Sequence, residues 1–127
     1  MPTVSIVKTD TGIENALDRA LDHIGGLDRY VHPGQAITLK PNLNGEHGFT
    51  NITMVDALIR RLLDLPLKSL AIAEATFGPP QMTDMFFVKT GYRDLAQKYD
   101  LPLINLNAAE SVDVPVEHRR GITHLVL

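Results

Sequence analysis

Apolar positions recur along this chain with two different periods, short β-rich runs alternating with stretches of helical spacing. Val4 to Val7 is β-rich and weakly alternating, and the polar Lys8-Thr9-Asp10-Thr11-Gly12 after it reads as a turn out of a first strand. Ile13, Ala16, Leu17, Ala20, Leu21 and Ile24 then share one helical face, with Asp18, Arg19 and Asp22 on the other. This predicts a helix stopped by Gly25-Gly26. Pro33-Gly34 turns the chain into a second strand, Gln35 to Leu39, followed by a polar loop from Asn42 to Asn51. Thr53 and Asp56 resemble a capping box for a second helix, whose apolar face is Val55, Leu58, Ile59 and Leu62 and which Pro66 ends.

Ser69 to Ala73 is a near-continuous apolar run, the pattern of a strand covered on both faces. Phe77-Gly78-Pro79-Pro80 reads as a stiff connector, and Val88, Tyr92, Leu95, Ala96 and Tyr99 predict a third helix broken or delayed at Gly91. Leu103 to Leu106 is a fourth strand. Val112 to Val116 and Ile122 to Leu127 flank the basic turn Glu117-His118-Arg119-Arg120-Gly121 as an antiparallel hairpin, with Pro115 confining its strand to an edge.

Strands alternating with amphipathic helices imply βαβ units and right-handed crossovers. The expectation is a single α/β domain over residues 1–127, a Rossmann-like or flavodoxin-like three-layer sandwich with a mostly parallel sheet and a C-terminal antiparallel hairpin. Val4 to Val7, Gln35 to Leu39 and Ser69 to Ala73 are expected as neighbouring parallel strands, with Leu17, Leu21, Leu58 and Ile72 buried. The apolar end Thr123 to Leu127 suggests the N-terminal part of a longer domain, or a free edge through which the chain forms a homo-oligomer.

Composition narrows the function classes. The 127 residues carry 12 Lys and Arg against 15 Asp and Glu, so no basic excess collects nucleic acid. Cysteine is absent, which excludes disulfides, a cysteine nucleophile and a cysteine-ligated cluster within this sequence. No apolar run approaches the roughly 20 residues that span a bilayer, and no signal core follows the N-terminus. The expectation is a cytoplasmic chain without a membrane partner.

Candidate chemistry gathers at the strand ends. Ala36-Ile37-Thr38-Leu39-Lys40-Pro41-Asn42-Leu43 is a strand that stops in a cation, a rigid turn and an amide, and in open α/β sheets ligands bind beyond the carboxyl ends of strands. Parallel strands would bring Lys8 and Asp10, Lys40 and Asn42, and Glu74 and Thr76 to one sheet edge. That set suits a phosphate or carboxylate, with Lys as a point charge; alternatively Asp10, Asn42 and Glu74 would hold Mg²⁺. Against this, Lys40 and Glu74 are equally suited to pair structurally across adjacent tips, and Asn42 to cap its own loop. His47, in the polar loop, is either solvent-exposed or a ligand or proton-transfer group. His23, His32 and the His118-Arg119-Arg120 turn read as solvated surface. A strand-tip cation contributes little to a core, so a Lys40→Met variant is expected to fold nearly intact. No Gly-rich phosphate loop and no nucleophile elbow is present.

The order Val4-Ser5-Ile6-Val7-Lys8, a helix ending at Gly25-Gly26, then Val31-His32-Pro33-Gly34-Gln35 into Ala36–Leu43, with the later Ile72-Ala73-Glu74-Ala75-Thr76 and Thr90-Gly91-Tyr92-Arg93-Asp94-Leu95-Ala96, resembles the start of domain-of-unknown-function family 362. The resemblance implies an α/β domain often joined to ferredoxin-type modules, so that a 4Fe-4S cluster would sit in a ferredoxin-like partner or a further region. On that footing the leading expectation is a ligand-binding domain linked to redox or metal metabolism and incomplete alone. The alternatives are an enzyme acting on a carboxylate or phosphate, with Lys40 as anchor and Glu74 as acid, base or metal ligand, and an interaction scaffold for an iron–sulfur partner.

Overall fold

A computed structural model describes residues 3–45, 47–115 and 124–126. Its strands are β1 (Ala36–Leu39), β2 (Leu43–Asn44), β3 (Gly48–Phe49), β4 (Ser69–Glu74), β5 (Leu103–Asn105), β6 (Asp113–Pro115) and β7 (His124–Val126). Its helices are α1 (Ile13–His23), α2 (Ile52–Leu63), α3 (Pro80–Lys89) and α4 (Tyr92–Lys98). The architecture is α/β. β1, β4 and β5 form a parallel sheet with β4 in the middle, and β6 and β7 pair antiparallel as a separate ribbon.

The register explains which residues meet. Ala36 lies opposite Ser69 and Leu39 opposite Ile72, while Ile72 lies opposite Leu103 and Glu74 opposite Asn105. Side chains in register share a face, so Ile37, Leu39, Leu70, Ile72 and Leu103 form one apolar layer. Val55, Ile59 and Leu62 of α2, Phe87 of α3, and Tyr92 and Leu95 of α4 complete that core. On the opposite face Ala36, Thr38 and Ser69 are small or polar and remain exposed.

Several expectations are corrected. Val4 to Val7 joins no strand, and Val4 and Ile6 are 81% and 90% exposed. Strand propensity is realised only where a neighbour accepts the backbone bonds and a face is buried, and β1 pairs with β4 alone. Of the four residues expected in the core, Ile72 is fully buried but Leu17, Leu21 and Leu58 are only half-buried. The cap of α2 is Asn51, whose side chain accepts from the amides of Thr53 and Met54 at 2.9 and 3.4 Å, rather than a Thr53–Asp56 box. The expected third helix is two helices. Gly91 separates them in the left-handed region at φ 83°, where a side chain would be strained. The stiff connector ends one residue early, because Pro80 already occupies the first turn of α3, where its missing N–H leaves no bond unmade. The 117–121 turn, and Thr123 and Leu127, lie outside the described residues.

Ion pairs tie the helices together. Asp56 on α2 accepts from Lys98 Nζ at 2.6 Å and from the Tyr99 hydroxyl at 2.9 Å. Arg60 Nε stands 3.4 Å from Asp56 Oδ2 without a hydrogen bond, so its attraction is Coulombic. Arg61 bonds Asp18 of α1. Burial works against the Asp56 carboxylate, but these hydrogen bonds and charges outweigh it and hold the group below its ordinary acidity range. A folded value below the unfolded one means the contribution is present above the ordinary carboxylate range, near pH 4, and is lost as pH falls through the lowered value. Urea denaturation between pH 6 and pH 2 should therefore show a steeper acid loss for the wild type than for Asp56→Asn. Parallel profiles would remove Asp56 from the acid response.

Candidate functional site

Where β1 ends, Pro41 lacks an amide hydrogen and turns the chain out of the sheet, leaving Lys40 at the tip beside the end of β4. The ammonium of Lys40 donates to both carboxylate oxygens of Glu74, at 2.8 and 2.7 Å. Glu74 Oε1 also accepts from the amide of Ala75 at 2.9 Å. The pair is asymmetric. The Glu74 side chain is 5% exposed and that of Lys40 64%, so the carboxylate sits behind the ammonium, which faces solvent.

In front of the pair lies an open cleft of about 530 Å³, lined by Lys40, Asn42, Asn44, Glu74, Thr76 and Phe77 among others. Asn42 and Asn44 are placed by the loop after β1, which folds back as the β2–β3 ladder. The Asn42 side chain donates to the carbonyl of Gly48, and its amide donates to Thr50 Oγ1 at 2.8 Å. At Gly48 a Cβ would stand 2.7 Å from the carbonyl oxygen of Asn44, so the tight return needs glycine. Behind the cleft the buried Tyr92 hydroxyl donates to the Thr50 carbonyl at 2.8 Å. Burial and then the nearby Glu74 charge push that phenol well above its ordinary value, so it stays a neutral donor.

The structure thus brings together Lys40, Asn42, Glu74 and Thr76. It also realises both structural alternatives, since Lys40 pairs with Glu74 and Asn42 closes its own loop. Lys8 and Asp10 are exposed in the irregular segment before α1 and do not line the cleft, because the strand that would have carried them to the edge does not form. His47 is exposed in the β2–β3 turn and does not line it either. A Mg²⁺ site of Asp10, Asn42 and Glu74 therefore lacks Asp10, and among the described residues no three His, Cys, Asp or Glu side chains gather for a metal. Among the same residues no helix is long and apolar enough to cross a membrane.

Sequence reasoning missed a second polar cluster at the tip of β5. Asn107 Nδ2 lies within hydrogen-bond reach of the carbonyls of Thr76 and Gly78, at 2.9 and 3.1 Å, and of Thr83 Oγ1 at 3.0 Å. Thr83 Oγ1 also accepts from the Thr76 amide at 3.2 Å. Asn105 donates to the Pro80 carbonyl and to Asp84, and its Oδ1 accepts from the Asn107 amide. The sequence shows only that Asn105 ends β5 and Asn107 follows it as Asn42 follows β1; the distant carbonyls they reach leave no local trace.

Comparison with protein families matches residues 37–126 to the model described as Domain of unknown function (DUF362). The chain belongs to the DUF362 family. The matched stretch begins in β1 and takes in the whole cleft, so the strand-tip architecture lies within the family domain. The DUF362 description carries no reaction, and membership fixes kinship without chemistry. Neither the curated proteins nor the solved structures gave a match.

Proposed function

We propose that the cleft beyond β1 and β4 is a binding site for a small oxyanion, a carboxylate or a phosphate, with Lys40 as the fixed cation. The observation that carries this reading is the asymmetry of the Lys40–Glu74 pair, whose positive end faces the cleft while its negative end is buried. An unsupported lysine spends rotamer entropy when it grips a ligand. Here the bidentate contact has already fixed the side chain, and two of its three N–H donors engage Glu74, leaving one for an oxyanion. The exposed amides of Asn42 and Asn44 border the same space and supply neutral donors.

Because Glu74 neutralises much of the field, affinity should be modest and sensitive to salt. The experiment is calorimetric titration with inorganic phosphate and with acetate at two ionic strengths. The expected outcome is saturable binding that weakens as salt rises, survives in Lys40→Arg and disappears in Lys40→Gln. Binding equal in the glutamine variant would refute the site.

A further inference from the structure

Phe77 lines the cleft together with Lys40, and its side chain is the one large apolar group there left in solvent, 83% exposed. Exposure of a phenylalanine on an irregular segment is ordinary where the backbone is free to move. Here the backbone is fixed on both sides of the residue. The Asn107 side chain reaches the carbonyls of Thr76 and Gly78, the residues immediately before and after Phe77, and the Thr76 amide is held by Thr83. Asn107 is in turn held through Asn105, which is tied to the first turn of α3. A polar network anchored on the buried Thr76 and Thr83 and closed by the exposed Asn107 therefore supports a ring that packs on little of the protein. Rigid support beneath an open aromatic face is what a binding platform requires.

We infer that Phe77 is the specificity-determining residue of this site, and that the ligand is an aromatic carboxylate, or another oxyanion joined to a flat ring, whose ring rests on Phe77 while its charged group meets Lys40. This rests on the oxyanion reading above and deepens it. Aromatic rings prefer offset or edge-to-face contact, and such a contact adds to the area that both rings remove from water. The Asn42 and Asn44 amides border the rest of the cleft and suit polar ring substituents.

The test compares benzoate with acetate on the full chain and on Phe77→Ala, whose exposed side chain makes the variant a safe one to fold. Benzoate is expected to bind the wild type roughly tenfold tighter than acetate, and Phe77→Ala to bring benzoate down to the acetate level while leaving acetate unchanged. Phe77→Tyr, which keeps the ring, should retain the preference. If acetate binds and benzoate binds no tighter, or if Phe77→Ala weakens both alike, the platform is refuted and the oxyanion site stands. If neither anion binds, the oxyanion site fails and the platform fails with it.

Discussion

Replacing Ile59 by alanine is expected to destabilise the chain by about 2–5 kcal/mol, while the same change at its neighbour Leu58 should cost less than half as much. Ile59 is fully buried on α2 and belongs to the core that covers the sheet. Truncating it removes apolar contact and leaves a cavity whose walls are β-strand and helix side chains with little freedom to close in. Leu58 is half-buried and borders an open cleft of about 190 Å³ with Leu39 and Met54, so water already reaches the space its truncation would vacate. Urea denaturation of the two variants reads the difference. Equal losses would mean that α2 is rotated relative to the sheet.

The second large effect concerns Lys40. A Lys40→Met substitution should cost about 1–3 kcal/mol, because it strands a buried carboxylate that retains one hydrogen bond, from the Ala75 amide. This reverses what the bare sequence suggests, since an exposed strand-tip cation adds little by itself; the cost arises from the burial of its partner. Adding Glu74→Gln to Lys40→Met should recover more than half of the loss, as a neutral amide removes the unpaired charge. A single variant as stable as wild type, or a double variant as unstable as the single one, would show that Glu74 is not held by this pair.

The parallel pairing of β1 with β4 was readable because an amphipathic helix of sufficient length joins two β-rich runs, and that pairing alone places Lys40 near Glu74. Val4 to Val7 has the same local grammar but finds no partner strand, and with it Lys8 and Asp10 leave the site. The extent of α3 was hidden for a different reason. Its buried residues are Thr83 and Phe87, one of them polar, while Met82, Met85 and Val88 are exposed, so the apolar period that marks a helix is absent. Asn51 outcompeted Thr53 as the cap of α2 because the helix begins at Ile52, directly after the asparagine. Asn105 and Asn107 act through backbone carbonyls more than twenty residues away, and no local pattern reports a contact of that kind.

The most direct measurement is a phosphate titration of the ¹⁵N-labelled chain followed residue by residue by NMR. The amides of Lys40, Asn42, Ala75 and Thr76 should shift together and saturate with one affinity, and the response should vanish in a folded Lys40→Gln variant. Shifts confined to another cationic surface, such as Arg60 and Arg61 on α2, or no saturable shift at the strand tips, would contradict an oxyanion site at the end of β1.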